Sequence, residues 1–349
     1  MHTSDMPADI SKFVPYVDVT SIFSHPTIKY FNSWVNTEEI MHPSCQPCKI
    51  KESLGIHSAR MQSNLHTDAP YDILLLDVVI GNACNLACPF CDSTSSSLIN
   101  KISKKQNIAE LPTNWKTATH KLASSNSISK IISELLTTYK VKQLKLIGGE
   151  PFLKENWESI GNILDQDYCK DLEISITSNG TVLNKRILQS LKNTKTTELR
   201  ISVDSIGSNY EFIRWPHSWK KMEDNLNFLK NNTANNIQIS VANLISVLNF
   251  EFLPEIEEYF SNLPFFCGYN FDIKPKTSLL HYSNIPNNIK IQVRDRIKNK
   301  DLKKMIELYE TDVDSVLIQK QFEFFLKHRK LSTAANAVGP MTAKWLSLT

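Results

Sequence analysis

Apolar residues in this chain gather in short dense runs separated by stretches with helical spacing. The first clear run, Ile73-Leu74-Leu75-Leu76-Asp77-Val78-Val79-Ile80, is nearly unbroken and ends at Gly81, the pattern of a strand covered on both faces. Similar runs occupy 143–147, 172–177, 198–203, 237–247 and 269–273. Segments with apolar positions at helical spacing lie between them, at 128–139, 157–164, 183–191, 219–229 and 253–260. Strand and helix alternating in this way predict parallel β/α units. The six runs fall short of the eight strands that close a β/α barrel, so the expected α/β fold is a partial (β/α)6 barrel over 71–275. An N-terminal extension with few apolar periods precedes it over 1–70. A C-terminal helical region, 276–349, carries Phe322, Phe324, Phe325 and Trp345. Residues 92–126, rich in Ser, Lys and Asn, predict a helix and then a surface loop.

Composition narrows the class. With 349 residues, 41% of them hydrophobic and 21% charged, the chain can bury a sizeable core. Its 39 basic and 36 acidic residues are too balanced for a nucleic-acid partner or a polybasic membrane surface. No apolar stretch approaches the roughly 18 residues of a bilayer span. The opening Met1-His2-Thr3-Ser4-Asp5-Met6 has neither the basic nor the apolar region of a secretory signal. These features predict a cytoplasmic globular protein.

Candidate chemistry collects at the ends of the predicted strands. Five of the nine glycines (Gly81, Gly148, Gly149, Gly180 and Gly207) follow the first four runs, on the face where β/α folds keep their chemistry. Glycine at such a place lets backbone approach a ligand, and that reading is preferred to tight turns alone. Directly after the first run comes Gly81-Asn82-Ala83-Cys84-Asn85-Leu86-Ala87-Cys88-Pro89-Phe90-Cys91-Asp92. Three thiols at this spacing can face one concave loop and hold an iron–sulfur cluster or zinc. A four-iron cubane held by Cys84, Cys88 and Cys91 would leave one iron open. Zinc would need a fourth ligand, and no histidine lies between Cys91 and His120.

The segment from Asn82 to Asp92, with Phe90 before the last cysteine, resembles the cluster loop of the radical S-adenosylmethionine (radical SAM) enzymes. Further strand ends match in turn. Gly148-Gly149-Glu150-Pro151 is similar to the family's GGEP motif, which holds the SAM amino group. Asn179, in Thr177-Ser178-Asn179-Gly180-Thr181, resembles the loop near the ribose. Ser202-Val203-Asp204-Ser205 resembles the "SLDG" segment, with Ser202 and Asp204 as polar contacts to SAM. Arg214 resembles the arginine that pairs with the SAM carboxylate. The resemblance implies that Cys84, Cys88 and Cys91 bind a [4Fe–4S] cluster whose open iron takes SAM. An electron from a donor such as flavodoxin or ferredoxin then releases a 5′-deoxyadenosyl radical that abstracts a substrate hydrogen. No residue is assigned as the catalytic hydrogen donor.

The flanks resemble the subgroup with twitch or SPASM-like parts, through Cys45-x2-Cys48-x3-Glu52-x2-Gly55 and Ser246-Val247-Leu248-Asn249. Members often modify ribosomally made peptides, so a peptide or small natural-product precursor is the expected substrate. A nucleotide or base precursor is the alternative within the family, and a non-catalytic zinc or iron–sulfur protein the alternative outside it. Cys45 and Cys48 are candidate ligands of a second metal site. Cys169 and Cys267 are weaker additions, because lone cysteines are more often small buried hydrophobes.

Overall fold

A computed structural model of the chain describes residues 71–106, 111–112, 115, 125–263, 266–273, 279–307, 315–329 and 337–348, with Glu52 and Met61 as single positions. The segment carrying Cys45 and Cys48 lies outside the described residues, as does most of 107–124.

Six strands form one parallel sheet in sequence order: β1 (Ile73–Val79), β2 (Val141–Ile147), β3 (Glu173–Ser178), β4 (Thr196–Ser202), β5 (Ile237–Ile245) and β6 (Phe266–Ile273). β1 and β6 stand at opposite ends of that order, so the sheet is open, as a partial barrel requires. The crossovers contain α1 (Ser97–Ser103), α2 (Ser125–Thr138), α3 (Lys154–Leu164), α4 (Lys185–Lys192), α5 (Gly207–Ile213), α6 (Trp219–Asn232) and α7 (Leu253–Ser261). Helices α8 (Asn287–Arg296), α9 (Lys300–Glu307), α10 (Ser315–Arg329) and α11 (Pro340–Trp345) follow the sheet. Local chemistry sets several helix starts: Ser96 Oγ accepts from Ile99 N at 3.2 Å and Asn184 Oδ1 from Ile187 N at 3.0 Å.

Alternation along the strands divides the sheet into two unlike faces. Leu144, Leu146, Ile174, Ile176, Leu199 and Ile201 are fully buried on the helix side, where Ile201 and Met222 of α6 pack at Gly180. The opposite face carries Asp77, Lys145, Ser175, Glu198 and Arg200, linked by Lys145–Asp77 at 2.6 Å and Arg200–Glu198 at 3.2 Å. β1 departs from the expectation of cover on both faces. Leu75 and Val79 are 48% and 49% exposed, because β1 is an edge strand of an open sheet and its apolar run exceeds the cover.

The C-terminal helices dock at the top of β4 and β5. Glu251 accepts from Met341 N at 3.1 Å and Thr342 N at 2.9 Å, and Asn209 Nδ2 donates to the carbonyls of Leu248 and Ala337. Trp115, Phe212, Phe322, Phe324 and Phe325 form one aromatic nest beside α5.

Candidate functional site

The cysteine loop is fixed by the start of α1. Asp92 Oδ1 accepts from Thr94 N at 3.0 Å, Thr94 Oγ1 at 2.6 Å and Ser95 N at 2.8 Å, an Asx-type turn that reverses the chain after Cys91. Ser96 Oγ donates to Leu86 O at 2.7 Å, Ser97 N to Asn82 O at 2.7 Å, and Cys84 N to Ser97 Oγ at 3.1 Å. Cys91 N donates to Cys88 O at 3.1 Å, and the tight turn brings the two thiols together.

The thiols differ in their surroundings. The Cys91 thiol donates to Cys88, which lowers Cys88 to about 7 and holds Cys91 well above the ordinary thiol range. Burial, with help from Cys88, pushes Cys84 up to about 11. Cys84 stands nearer β3, with its Sγ 3.9 Å from Asn179 Nδ2. Among the described residues, no three His, Cys, Asp or Glu side chains converge at the spacing of ligands to a single ion. A cubane takes its ligands on separate corners, and three thiols on one loop could supply three of them.

Each neighbouring strand end is tied to this loop. Gly149 N donates to Gly81 O and Glu150 N to Ala83 O, both at 2.8 Å. A Cβ on Gly148 would lie 2.7 Å from Gly81 O, and one on Gly149 would lie 2.3 Å from Ala83 O. The double glycine therefore makes room for the cysteine loop itself. Glu150 is fully buried, and its carboxylate accepts from Phe152 N at 3.0 Å, Ser178 Oγ at 2.7 Å and Asn179 N at 2.6 Å. Burial raises its pKa against these donors. The carboxylate braces the end of β2 to the end of β3. Asn179 Nδ2 in turn donates to Asn85 Oδ1 at 3.0 Å, and Asn85 Nδ2 to Thr181 Oγ1 at 2.9 Å.

Beyond β4, Asp204 adopts a positive φ of 65° and is almost fully buried. Its Oδ1 accepts from Leu244 N at 2.8 Å, its carbonyl accepts from Asn249 Nδ2 at 2.6 Å, and its Oδ2 forms an ion pair with Arg214 Nη2. Ser202 ends β4 on the polar face, in register with Ala242. Arg214, also buried, lies over the Phe90 ring at 5.6 Å. Burial opposes its charge, but Asp204 and the thiols of Cys88 and Cys91 outweigh it and raise its pKa. Among the described residues its Nε has no hydrogen-bond partner. The structure thus brings Phe90, Gly148, Gly149, Glu150, Asn179, Asp204 and Arg214 around the three cysteines, with Ser202 at the adjoining strand end.

Sequence reasoning did not single out Asn85, Asn156, Thr181 or Arg329. Asn156 Nδ2 bridges Ala83 O at 3.2 Å and Glu150 O at 2.8 Å. Arg329 Nη2 donates to Ala87 O at 2.6 Å. Asn85 lies inside the cysteine motif and could have been read; Arg329, 242 residues from Ala87, left no local signal. Cys169 is fully buried and donates to Ile163 O at 3.3 Å, with burial pushing its thiol up to about 12. It has the surroundings of a core residue.

The profile of the Radical SAM superfamily matches residues 78–262, more than half of the chain, and the chain belongs to that superfamily. Members of this family work with SAM and a [4Fe–4S] cluster. Among curated relatives, the radical SAM cyclopropyl synthase TigE of Paramaledivibacter caminithermalis is 26% identical over 274 residues, 76% of this chain and 52% of the relative. A probable GTP 3′,8-cyclase of Methanocaldococcus jannaschii is 25% identical over 190 residues, 54% of this chain and 55% of the relative. The chain spans about half the length of these two relatives. A solved structure of anSMEcpe with bound AdoMet aligns with a TM-score of 0.46 at 13% identity, over 69% of this chain and 64% of that one. SuiB of Streptococcus suis bound to SAM aligns with a TM-score of 0.43 at 13% identity, over 87% and 68%. No described helix is long and apolar enough to cross a membrane.

Proposed function

We propose that Cys84, Cys88 and Cys91 hold the [4Fe–4S] cluster and that Phe90, Gly148, Gly149, Glu150, Asn179, Ser202, Asp204 and Arg214 build the SAM site beside it. One observation carries the assignment. A buried guanidinium, Arg214, lies next to the thiols with Nε unpartnered, and Asp204 takes up one edge of its fork. Such a group fits an anionic ligand, and the carboxylate of SAM supplies one. When bound, the cluster and SAM supply one-electron cleavage of a carbon–sulfur bond and abstraction of a substrate hydrogen. This chain's residues position and enclose. Glu150 fixes β2 against β3, Asp204 orients Arg214, and Phe90 covers the guanidinium's face.

The substrate we propose is a ribosomally made peptide or small natural-product precursor, with flavodoxin or ferredoxin as electron donor in the cytoplasm. What supports this class is the likeness of the flanking segments, Cys45-x2-Cys48-x3-Glu52-x2-Gly55 and Ser246-Val247-Leu248-Asn249, to the subgroup with twitch or SPASM-like parts. Anaerobic reconstitution with iron and sulfide, followed by assay of 5′-deoxyadenosine, tests the cofactor site. Each single Cys→Ala change at 84, 88 and 91 abolishes SAM cleavage in a protein that still folds; iron content unchanged after replacing all three would sink the assignment. Incubation with GTP and with a precursor peptide encoded nearby distinguishes the substrate classes.

A further inference from the structure

Arg329, the last residue of α10, lies outside the matched family segment and reaches the cysteine loop. It is 6% exposed. Nη2 donates to Ala87 O at 2.6 Å, beside Cys88, and Nη1 donates to Phe212 O. The guanidinium carbon lies 4.6 Å from the Phe325 ring centroid and 5.1 Å from that of Phe212. Ala87 is held from its other side too, since its N–H donates to Trp215 O at 2.9 Å. The peptide before Cys88 is therefore clamped between α10 and the end of α5.

The charge of Arg329 is not balanced as that of Arg214 is. Among the described residues no carboxylate pairs with it, and Cys88 is the one titratable group whose charge acts on it appreciably. Two carbonyls and two aromatic faces offset part of the cost of burying a cation. A full counter-charge normally completes such a site. Three thiolates carrying an iron–sulfur cubane make a net anion, and reduction adds a further negative charge.

We infer that Arg329 is a positioning residue of the cofactor centre: it clamps the loop at Ala87 and serves as the buried counter-ion of the cluster, favouring its reduced state. This rests on the cluster reading of Cys84, Cys88 and Cys91.

The test uses the full chain, anaerobically reconstituted, in wild-type, Arg329→Met and Arg329→Lys forms. The cluster's reduction potential is read by dye titration with electron paramagnetic resonance. Arg329→Met should shift the reduction equilibrium about tenfold against the reduced state, about 59 mV lower for a one-electron couple. Arg329→Lys keeps the charge and should stay within about threefold of wild type. Equal potentials in wild type and Arg329→Met overturn the inference, as does a lysine variant that falls as far as the methionine one. Melting gives an independent reading should Arg329→Met lose its iron. Because the lysine keeps the counter-charge, the loss of melting temperature for Arg329→Lys should be smaller in cluster-loaded than in cluster-free protein, and equal losses would assign Arg329 to the fold alone. Wild-type protein that binds no iron would instead refute the cluster reading itself.

Discussion

The two faces of the sheet are made by the same strands and treated in opposite ways. On β2, Leu144 and Leu146 are inaccessible beneath the helices, while the intervening Lys145 keeps about a third of its side chain (36%) in solvent. On β4, Leu199 and Ile201 are equally buried, while Glu198 and Arg200 pair with each other on the polar face. One face supplies the burial that holds the fold, and the other carries polar groups paired with one another and partly open to solvent. The strand ends break this division. Glu150 and Asp204 are acidic yet about as inaccessible as the leucines, and Arg214 is buried beside them, so each depends on partners placed with care.

The strongest way to break the comparison is Asp204→Asn. Asparagine tolerates a positive φ and keeps an oxygen for Leu244 N, so the change isolates the charge. Stranding a buried guanidinium costs roughly 3–5 kcal/mol. We expect about 4 kcal/mol by urea denaturation of the apoprotein; a loss under about 1 kcal/mol would mean that Arg214 draws its compensation elsewhere.

Next comes the helix face. Ile176 is fully buried at the middle of β3, and Ile176→Ala should cost about 3 kcal/mol through lost transfer energy and a residual cavity. The slope of the denaturation curve should stay unchanged. Glu150→Gln should cost about 2 kcal/mol, because it weakens charge-assisted bonds from Asn179 N, Ser178 and Phe152 N. SAM affinity should fall at least tenfold with the cluster retained, measured by equilibrium dialysis. Unchanged affinity would confine Glu150 to the fold.

Much of this was legible in the chain. The apolar runs located all six strands, because parallel strands under helices cannot interrupt their buried face with charge. The thiol motif and the strand-end residues were legible because their chemistry is local in sequence. Two things were not. The exposure of Leu75 and Val79 depends on where the sheet stops, which no single strand encodes. The part played by Arg329 depends on where α10 docks, and an arginine after an aromatic stretch looks like an ordinary helix end. A second requirement on Gly148 and Gly149, the closeness of the adjoining backbone, appears once the two loops are seen side by side.

The smallest predicted effect sharpens the comparison most. Lys145 and Asp77 pair at 2.6 Å directly across β1 and β2, with 36% and 40% of their side chains exposed. Water and salt screen a pair this open, and both side chains lose rotamer freedom to form it. Lys145→Ala should therefore cost less than about 1 kcal/mol. Most of that should vanish near 1 M salt, where the screening length is about 3 Å. The neighbouring Leu146→Ala, one residue along the same strand, should cost several times more at either salt concentration. If the lysine change proved as damaging as the leucine change, or indifferent to salt, the polar face would be a closed interior, and the asymmetry between the two faces would not exist.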